Sequence, residues 1–268
     1  MTSSSRCVFG LRAFECAVRF DCPNSEIRDE LNRYIFPPLQ RSASELALPD
    51  IDIRLAQDWQ GISVLLNEKL VASGATIHDV MLATIKAVDE AVVHCLKSFR
   101  AVHAGAVLIG DRAVLLPGST HAGKSSLVAE LLRRGASCFS DEYALIDSAG
   151  YVHPYPRPLL LRDGDSQQSA IFPEELNARF ATGPTRVGWI FATRYVPGEE
   201  WSVHETPQGE AVTLLLRNTP HEMAHAPQLL DMFIRAVSGA NCFSGKRGDA
   251  ARAAERILQL VAASPSRC

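Results

Sequence analysis

The stretch Gly118-Ser-Thr-His-Ala-Gly123-Lys124-Ser125 constrains this chain more than any other, because it satisfies G-x-x-x-x-G-K-[ST] at every fixed position. It sits between an apolar run, Ala113–Leu116, and a segment, Lys124–Arg134, that patterns as a helix and stops before Gly135. Strand, tight loop and helix in that order point the surrounding chain to an α/β arrangement. The residue types have a physical logic. Glycines let backbone N–H groups curl around an anion. Lys124 adds a cation, Ser125 adds a hydroxyl suited to a divalent metal, and the helix start turns its positive dipole end toward the loop. Ser119, Thr120, His121 and Ala122 fill the interior of the loop and Ser126 follows it, so Gly118 through Ser126 are the candidate phosphate-binding residues. A chance match is expected in roughly one chain of this length in a hundred, and the flanking strand and helix argue further against coincidence.

The 268 residues suffice for a small domain plus a medium one. Texture changes near Ala101, so the expected organisation is a small N-terminal α/β unit over 1–99 and a nucleotide-binding domain over 100–268. In the first unit Val8–Phe20 reads as strand, Asn24–Tyr34 as a helix stopped by Pro37-Pro38, and Arg41–Asp50 as loop. Ile51–Leu55, Ile62–Leu66 and Leu70–Ala72 read as short strands, with a turn at Asn67-Glu68. Thr76 and Asp79 have the spacing of a capping box. Met81, Leu82, Ile85, Val88, Val92, Leu96 and Phe99 then make one apolar stripe on a helix expected to reach about Ser98 and to pack this unit on the next. In the second unit strands are expected at Val102–Ile109, Ala113–Leu116, Ser137–Ser140, Tyr143–Asp147, Tyr151–Pro154, Leu159–Leu161, Val187–Ala192 and Trp201–His204. Helices are expected at Glu210–Arg217, Leu229–Ser238 and Asp249–Ala262. Strands and helices alternate, which predicts a core with helices on both faces. Trp189 and Phe191 read as core.

Bulk composition excludes several classes. Net charge is −3 with no dominant basic stripe, which argues against nucleic acid as a partner. No stretch reaches the roughly 18 uninterrupted apolar residues of a membrane span, and the polar Met1–Arg6 run is followed by no apolar signal segment. Seven cysteines, an odd number with no C-x-x-C pair, read as free thiols in a reducing, cytoplasmic setting.

Phosphoryl transfer needs phosphate cradling, charge neutralisation and a carboxylate near the nucleophile. Lys124, Ser125 and Asp141 supply those types. Asp141-Glu142 follows the strand Ser137–Ser140, and His103 lies upstream in Val102-His103-Ala104-Gly105. Taken as isolated residues, an acidic pair at a strand end is usually solvated, and a histidine in an apolar strand is as often packed as functional.

These features together resemble the HPr kinase/phosphorylase family and its smaller relatives, peptide-tailoring kinases among them. The family pattern runs H-x-G, hairpin, phosphate loop, a helix ending R-G, then a paired acidic motif. Here that is His103-Ala104-Gly105, the 118–125 loop, the helix through Arg134-Gly135, and Asp141-Glu142, a likeness spanning roughly Ala101–Leu161. It implies a P-loop core of the HPr kinase / phosphoenolpyruvate carboxykinase type behind a small N-terminal α/β unit. It implies an ATP-dependent kinase using Mg²⁺, in which Asp141 takes the proton from an acceptor hydroxyl. Glu142 helps Ser125 hold the metal, Lys124 meets the phosphates, and His103 sits beside the transferred phosphate. The acceptor would be a hydroxyl, serine foremost, on a peptide, a small protein or a small molecule. Better-known members assemble, so homo-oligomerisation stays open. The chain departs from the family pattern at Thr120-His121, at Glu142, and over Leu161–Ser166, where E-I-R-G-x-G is not reproduced; a reverse phosphorylase reaction is therefore not part of the expectation.

Two other readings stay open. One is a nucleotide-binding regulatory protein without transfer activity. The other is a zinc metalloprotease, since His221-Glu-Met-Ala-His225 matches H-E-x-x-H. Pro220 and Pro227 bracket that motif within two helical turns and conflict with the long helix it needs. No N-K-x-D or L-S-G-G-Q segment points to a GTPase or a transporter ATPase. Lys246-Arg247 could reach a phosphate or an acceptor but reads first as a solvated pair ahead of a helix; either Arg157 or Arg162 could contact substrate or nucleotide, and the sequence does not rank them.

Overall fold

A computed structural model describes residues 6–35, 41–42, 49–119, 122–163, 167–220 and 228–263. It is a mixed α/β chain with six α-helices among those residues. It divides into two compact units, Met1–Lys97 and Ser98–Cys268.

In the first unit β1 (Cys7–Ala13) and β2 (Cys16–Cys22) form an antiparallel hairpin. The apolar run Val8–Phe20 is thus two strands, not one. Its turn contains Phe14 at φ 57°, and an aromatic residue at a turn leaves no break in the apolar pattern. Asn24 caps α1 (Ser25–Tyr34), its side chain accepting from the amide of Ile27 at 2.9 Å. The proline pair at 37–38 lies outside the described residues. β3 (Arg41–Ser42) pairs with β1 where loop was predicted. β4 (Ile51–Asp58) returns parallel to β2. β5 (Gly61–Leu66) and β6 (Lys69–Gly74) follow, joined at Asn67-Glu68 with φ of 48° and 65°, the signature of a type I′ turn. The sheet order is β3-β1-β2-β4-β5-β6. The capping box forms as expected at the start of α2 (Ile77–Cys95): Asp79 Oδ2 accepts from the Thr76 amide at 2.8 Å, and Thr76 Oγ1 from the Asp79 amide at 3.4 Å. The stripe Met81, Ile85, Val88 and Val92 is buried, and α2 packs on β5 and β6. The helix stops at Cys95, short of Ser98, and Phe99 opens the next strand instead. No helix among the described residues is long and apolar enough to cross a membrane.

The second unit contains β7 (Phe99–Ile109), β8 (Arg112–Pro117), α3 (Lys124–Arg133), β9 (Ser137–Ser140), β10 (Tyr143–Asp147) and β11 (Tyr151–His153). Then come a small hairpin of β12 (Leu159–Asp163) and β13 (Gln167–Ile171), β14 (Thr185–Tyr195), β15 (Ser202–Glu205), α4 (Gln208–Arg217), α5 (Leu229–Val237), β16 (Asn241–Arg247) and α6 (Ala250–Ala263). The main sheet runs β11-β10-β7-β8-β14-β16-β15, with β9 beside β7. Helices cover both faces, as the alternation predicts. Val107, Val114, Leu116 and Phe191 pack with α3 and α6, while Ala104, Leu115 and Ile190 pack with α4 and α5. Burial on both sides explains why Ala113–Leu116 is apolar without alternation. Trp189 and Phe191 are core residues, as read from the sequence. α3 lies directly on β7 because residue 105 is glycine: a Cβ there would come within 2.6 Å of Val128 Cγ2. β13 and β16 are strands that the sequence reading did not identify.

Candidate functional site

β8 ends at Pro117, and the chain turns through Gly118 into α3. The Gly118 amide donates to the His103 carbonyl at 3.2 Å, which fixes the start of the loop on β7. Gly123 closes the loop with φ 77°, a left-handed conformation that favours glycine. α3 begins with no side-chain cap and no acidic residue in its first turn. Its opening N–H groups and positive dipole end are therefore left for an anion. The Lys124 ammonium folds back over the loop and donates to the carbonyls of Gly118 (2.9 Å) and Ser119 (3.1 Å). Burial pushes its pKa down, and the charges of Glu142 and Asp141 oppose that shift. Ser125 is half-buried and Ser126 exposed on the first turn of α3, and Ser119 is exposed.

The acidic pair is positioned by a change of partner along β7. Phe99–His103 pair with β10, whereas Ala106–Leu108 pair with β9. Asp141-Glu142 fill the gap between β9 and β10. The Ala104 amide donates to the Glu142 carbonyl at 3.1 Å, and Ser140 Oγ accepts from the amides of Glu142 and Tyr143, each at 3.1 Å. The two carboxylates then face different surroundings. Asp141 is 1% exposed; its Oδ2 accepts from the Leu160 amide at 3.2 Å and its Oδ1 lies 3.7 Å from Arg157 Nε, an equally buried partner. Asp141 is thus no solvated strand end. Glu142 and His103 are each about one-third exposed, with Oε1 and Nδ1 3.5 Å apart. Burial raises the Glu142 pKa, but the His103 hydrogen bond and the charges of Arg157, Lys124 and His103 outweigh it and hold the group below its ordinary value. The His103 ring lies 4.7 Å from that of Tyr143, its cross-strand partner.

The structure therefore gathers His103, Gly118, Lys124, Asp141 and Glu142 at one end of the sheet. Thr120 and His121 lie outside the described residues, as does His221–His225. Sequence reasoning left Arg157 unranked, favoured a solvated Arg247 and missed Tyr195. Arg157 is buried against Asp141, while Arg162 is exposed, which ranks the two. Arg247, read as half of a solvated pair, is 2% exposed at the end of β16, where Nη2 donates to the carbonyls of Gly123 (2.7 Å) and Ala122 (3.3 Å). Tyr195 ends the neighbouring β14, with the Arg247 guanidinium 5.7 Å from its ring centroid. The Ser125 hydroxyl and the Glu142 carboxylate are hard oxygen donors; they suit a small divalent cation that takes one or two protein oxygens and completes its shell with phosphate and water.

No family model matches this sequence, and no curated protein matches it. Among solved structures, the Hpr(Ser) kinase/phosphatase from Coxiella burnetii is similar over 61% of this chain and 95% of its own, with 17% identity and a TM-score of 0.32.

Proposed function

We propose that this chain binds ATP with Mg²⁺ on the 118–125 loop and transfers phosphate to a hydroxyl, serine foremost, of a peptide, small protein or small molecule. One observation carries the reading: the buried Lys124 ammonium lies at the uncapped, unneutralised start of α3, within the electrostatic reach of Glu142 and Asp141. A cation and open N–H groups cradle phosphates, and a carboxylate beside them serves an acceptor hydroxyl. Lys124 exchanges the loop carbonyls for phosphate oxygens. Ser125 offers its hydroxyl to the metal, which when bound neutralises charge on the phosphates. Sequence reasoning gave the proton-accepting role to Asp141 and metal holding to Glu142. The burial of Asp141 against Arg157 favours a different division: Glu142, one-third exposed and paired with His103, takes the acceptor proton, and Asp141 holds Arg157 in place. A carboxylate must reach within hydrogen-bond distance of the proton it abstracts, and Glu142 is the more accessible of the two.

The test is calorimetric titration of ATP with Mg²⁺ into the wild type and Lys124→Ala, followed by transfer assays with labelled ATP on wild type, Glu142→Gln and Asp141→Asn. Binding lost in Lys124→Ala is expected, since the lysine supplies the cradle's charge. Glu142→Gln should bind nucleotide and lose transfer by about 10²–10⁴-fold, the range of general acid–base catalysis. Undiminished transfer in Glu142→Gln with loss in Asp141→Asn would return the base to Asp141. Nucleotide binding with no transfer in the wild type would favour a regulatory nucleotide-binding protein, a reading that the withdrawn Asp141 carboxylate also supports.

A further inference from the structure

β14 runs parallel to β8 and to β16, so the carboxyl ends of all three strands reach the edge where the 118–125 loop begins. Tyr195 and Arg247 are the last residues of β14 and β16 and stand in register with each other. Ligands of open α/β sheets collect at this edge. Arg247 is held at both terminal nitrogens: Nη1 donates to the Gly248 carbonyl at 3.0 Å and Nη2 to the carbonyls of Gly123 and Ala122, so it braces the loop. A Cβ at Gly123 would lie 2.6 Å from Arg247 Nη2 and 3.4 Å from Tyr195 Cβ; the tyrosine therefore starts against the residue that precedes Lys124. Its ring lies over the guanidinium at 5.7 Å, within cation–π range. It is nevertheless 44% exposed, while Phe191 and Thr193, four and two residues earlier on β14, are 0% and 8% exposed. Bracing the loop requires only the arginine. An exposed aromatic ring, seated on a fixed cation beside a phosphate cradle, presents a pre-ordered π surface of the kind a nucleobase stacks on.

We infer that Tyr195, seated on Arg247, is the platform for the base of the bound nucleotide; the inference rests on the nucleotide reading given above. Arg247 then joins two parts of one site. It holds the loop that takes the phosphates and the ring that takes the base, so the two are presented at a fixed separation. Tyr195 contributes to the affinity for the nucleoside part of the ligand and not to that for its phosphates.

Two probes separate those parts: ATP and inorganic tripolyphosphate, each with Mg²⁺, titrated into the full chain as wild type, Tyr195→Ala, Tyr195→Phe and Lys124→Ala. Position 195 lies at a strand end with an exposed ring, and thermal unfolding checks that the variants fold. The expected result is that Tyr195→Ala binds ATP about 5- to 100-fold more weakly, the span of one base–aromatic stack, and tripolyphosphate as tightly as the wild type. Tyr195→Phe keeps the π face and wild-type affinity for both. Unchanged ATP affinity in Tyr195→Ala overturns the platform while leaving the nucleotide reading intact. An equal loss for both probes also overturns it, because the tyrosine would then act on the loop and not on a base. A wild type that binds neither probe removes the nucleotide reading and the platform with it.

Discussion

The two units handle charge differently. In the first, the sheet carries its ion pairs on partly exposed faces: Arg19 with Asp52 at 2.8 Å, and Arg54 with Glu68 at 2.8 Å, span neighbouring strands and their turn. Its buried acids, Asp21 and Asp89, lie apart on β2 and α2, and Asp21 is paired with Arg6. The second unit buries Lys124, Asp141, Arg157 and Arg247, at 9%, 1%, 2% and 2% exposure, around one end of one sheet. Burying charge opposes folding unless partners compensate, and a fold of this size has no need to repeat that cost four times in one place. The contrast teaches that the first unit uses charge to fix register, whereas the second concentrates desolvated charge at one end of its sheet, the pattern that supports the ligand site proposed above. It also separates the carboxylates: Asp141 is sealed into the fold, and Glu142 remains approachable.

The largest effect that sharpens this contrast is expected at Asp141. Removing it in Asp141→Ala withdraws from the buried Arg157 the carboxylate that lies 3.7 Å from its Nε, and breaking a buried pair from one side costs about 3–5 kcal/mol. Urea denaturation of wild type and variant measures it. A loss under about 1 kcal/mol, the size of an exposed pair, would show that water already screens the Asp141–Arg157 contact and would erase the distinction between the units.

Glu142 gives the next, smaller effect, read as a pH dependence. Its folded pKa lies below the ordinary 4.5. A depressed carboxylate contributes stability that is fully present above its unfolded pKa and is lost as pH falls through the folded one. Glu142→Gln should therefore be less stable than the wild type at neutral pH, and the gap should close on acidification below 4.5. Denaturation midpoints across that window test it. A gap that stays constant with pH would mean that His103, Lys124 and Arg157 do not act on this carboxylate as charges.

Much of the fold was legible because its signals are local. The capping box at Thr76 and Asp79, the turn at Asn67-Glu68 and the α3 boundary before Gly135 each rest on a few neighbouring residues. What escaped depends on long-range pairing. Phe14 turns the β1–β2 hairpin without any turn-type residue, and only the β1–β2 register reveals it. Arg247 was misread for the same reason. Followed by Gly248 and Asp249 it resembles a polar lead into a helix, and what buries it is the Gly123 carbonyl, over a hundred positions away in sequence. The apolar residues Cys242 and Phe243, after the turn at Gly239, were the available strand signal. At the site, motif spacing brought His103, Lys124, Asp141 and Glu142 into view, but no spacing distinguishes a carboxylate sealed against Arg157 from one left open beside a histidine. That depends on β7 changing partner between β9 and β10.

The smallest effect tests the other side of the contrast, at Glu68, where two terms oppose each other. Glu68 is paired with Arg54 at 2.8 Å, but its side chain is 67% exposed, and such pairs contribute about 0–1 kcal/mol. It also holds φ at 65°, a left-handed conformation that costs an L-residue roughly 1–2 kcal/mol and glycine almost nothing. Glu68→Ala keeps the strain and loses the pair, so it should destabilise by up to about 1 kcal/mol, less in high salt, where the pair is screened. Glu68→Gly loses the same pair and releases the strain, at the expense of the greater freedom of glycine in the unfolded chain, about 0.5–1 kcal/mol. The glycine variant should thus equal or slightly exceed the wild type, and the alanine variant should fall below both, in paired urea melts at low and high salt. If instead both variants lost about 2 kcal/mol or more, the Arg54–Glu68 pair would weigh on stability in the manner of the buried Asp141–Arg157 pair. Charge in the first unit would then be holding its fold together, not only setting its register.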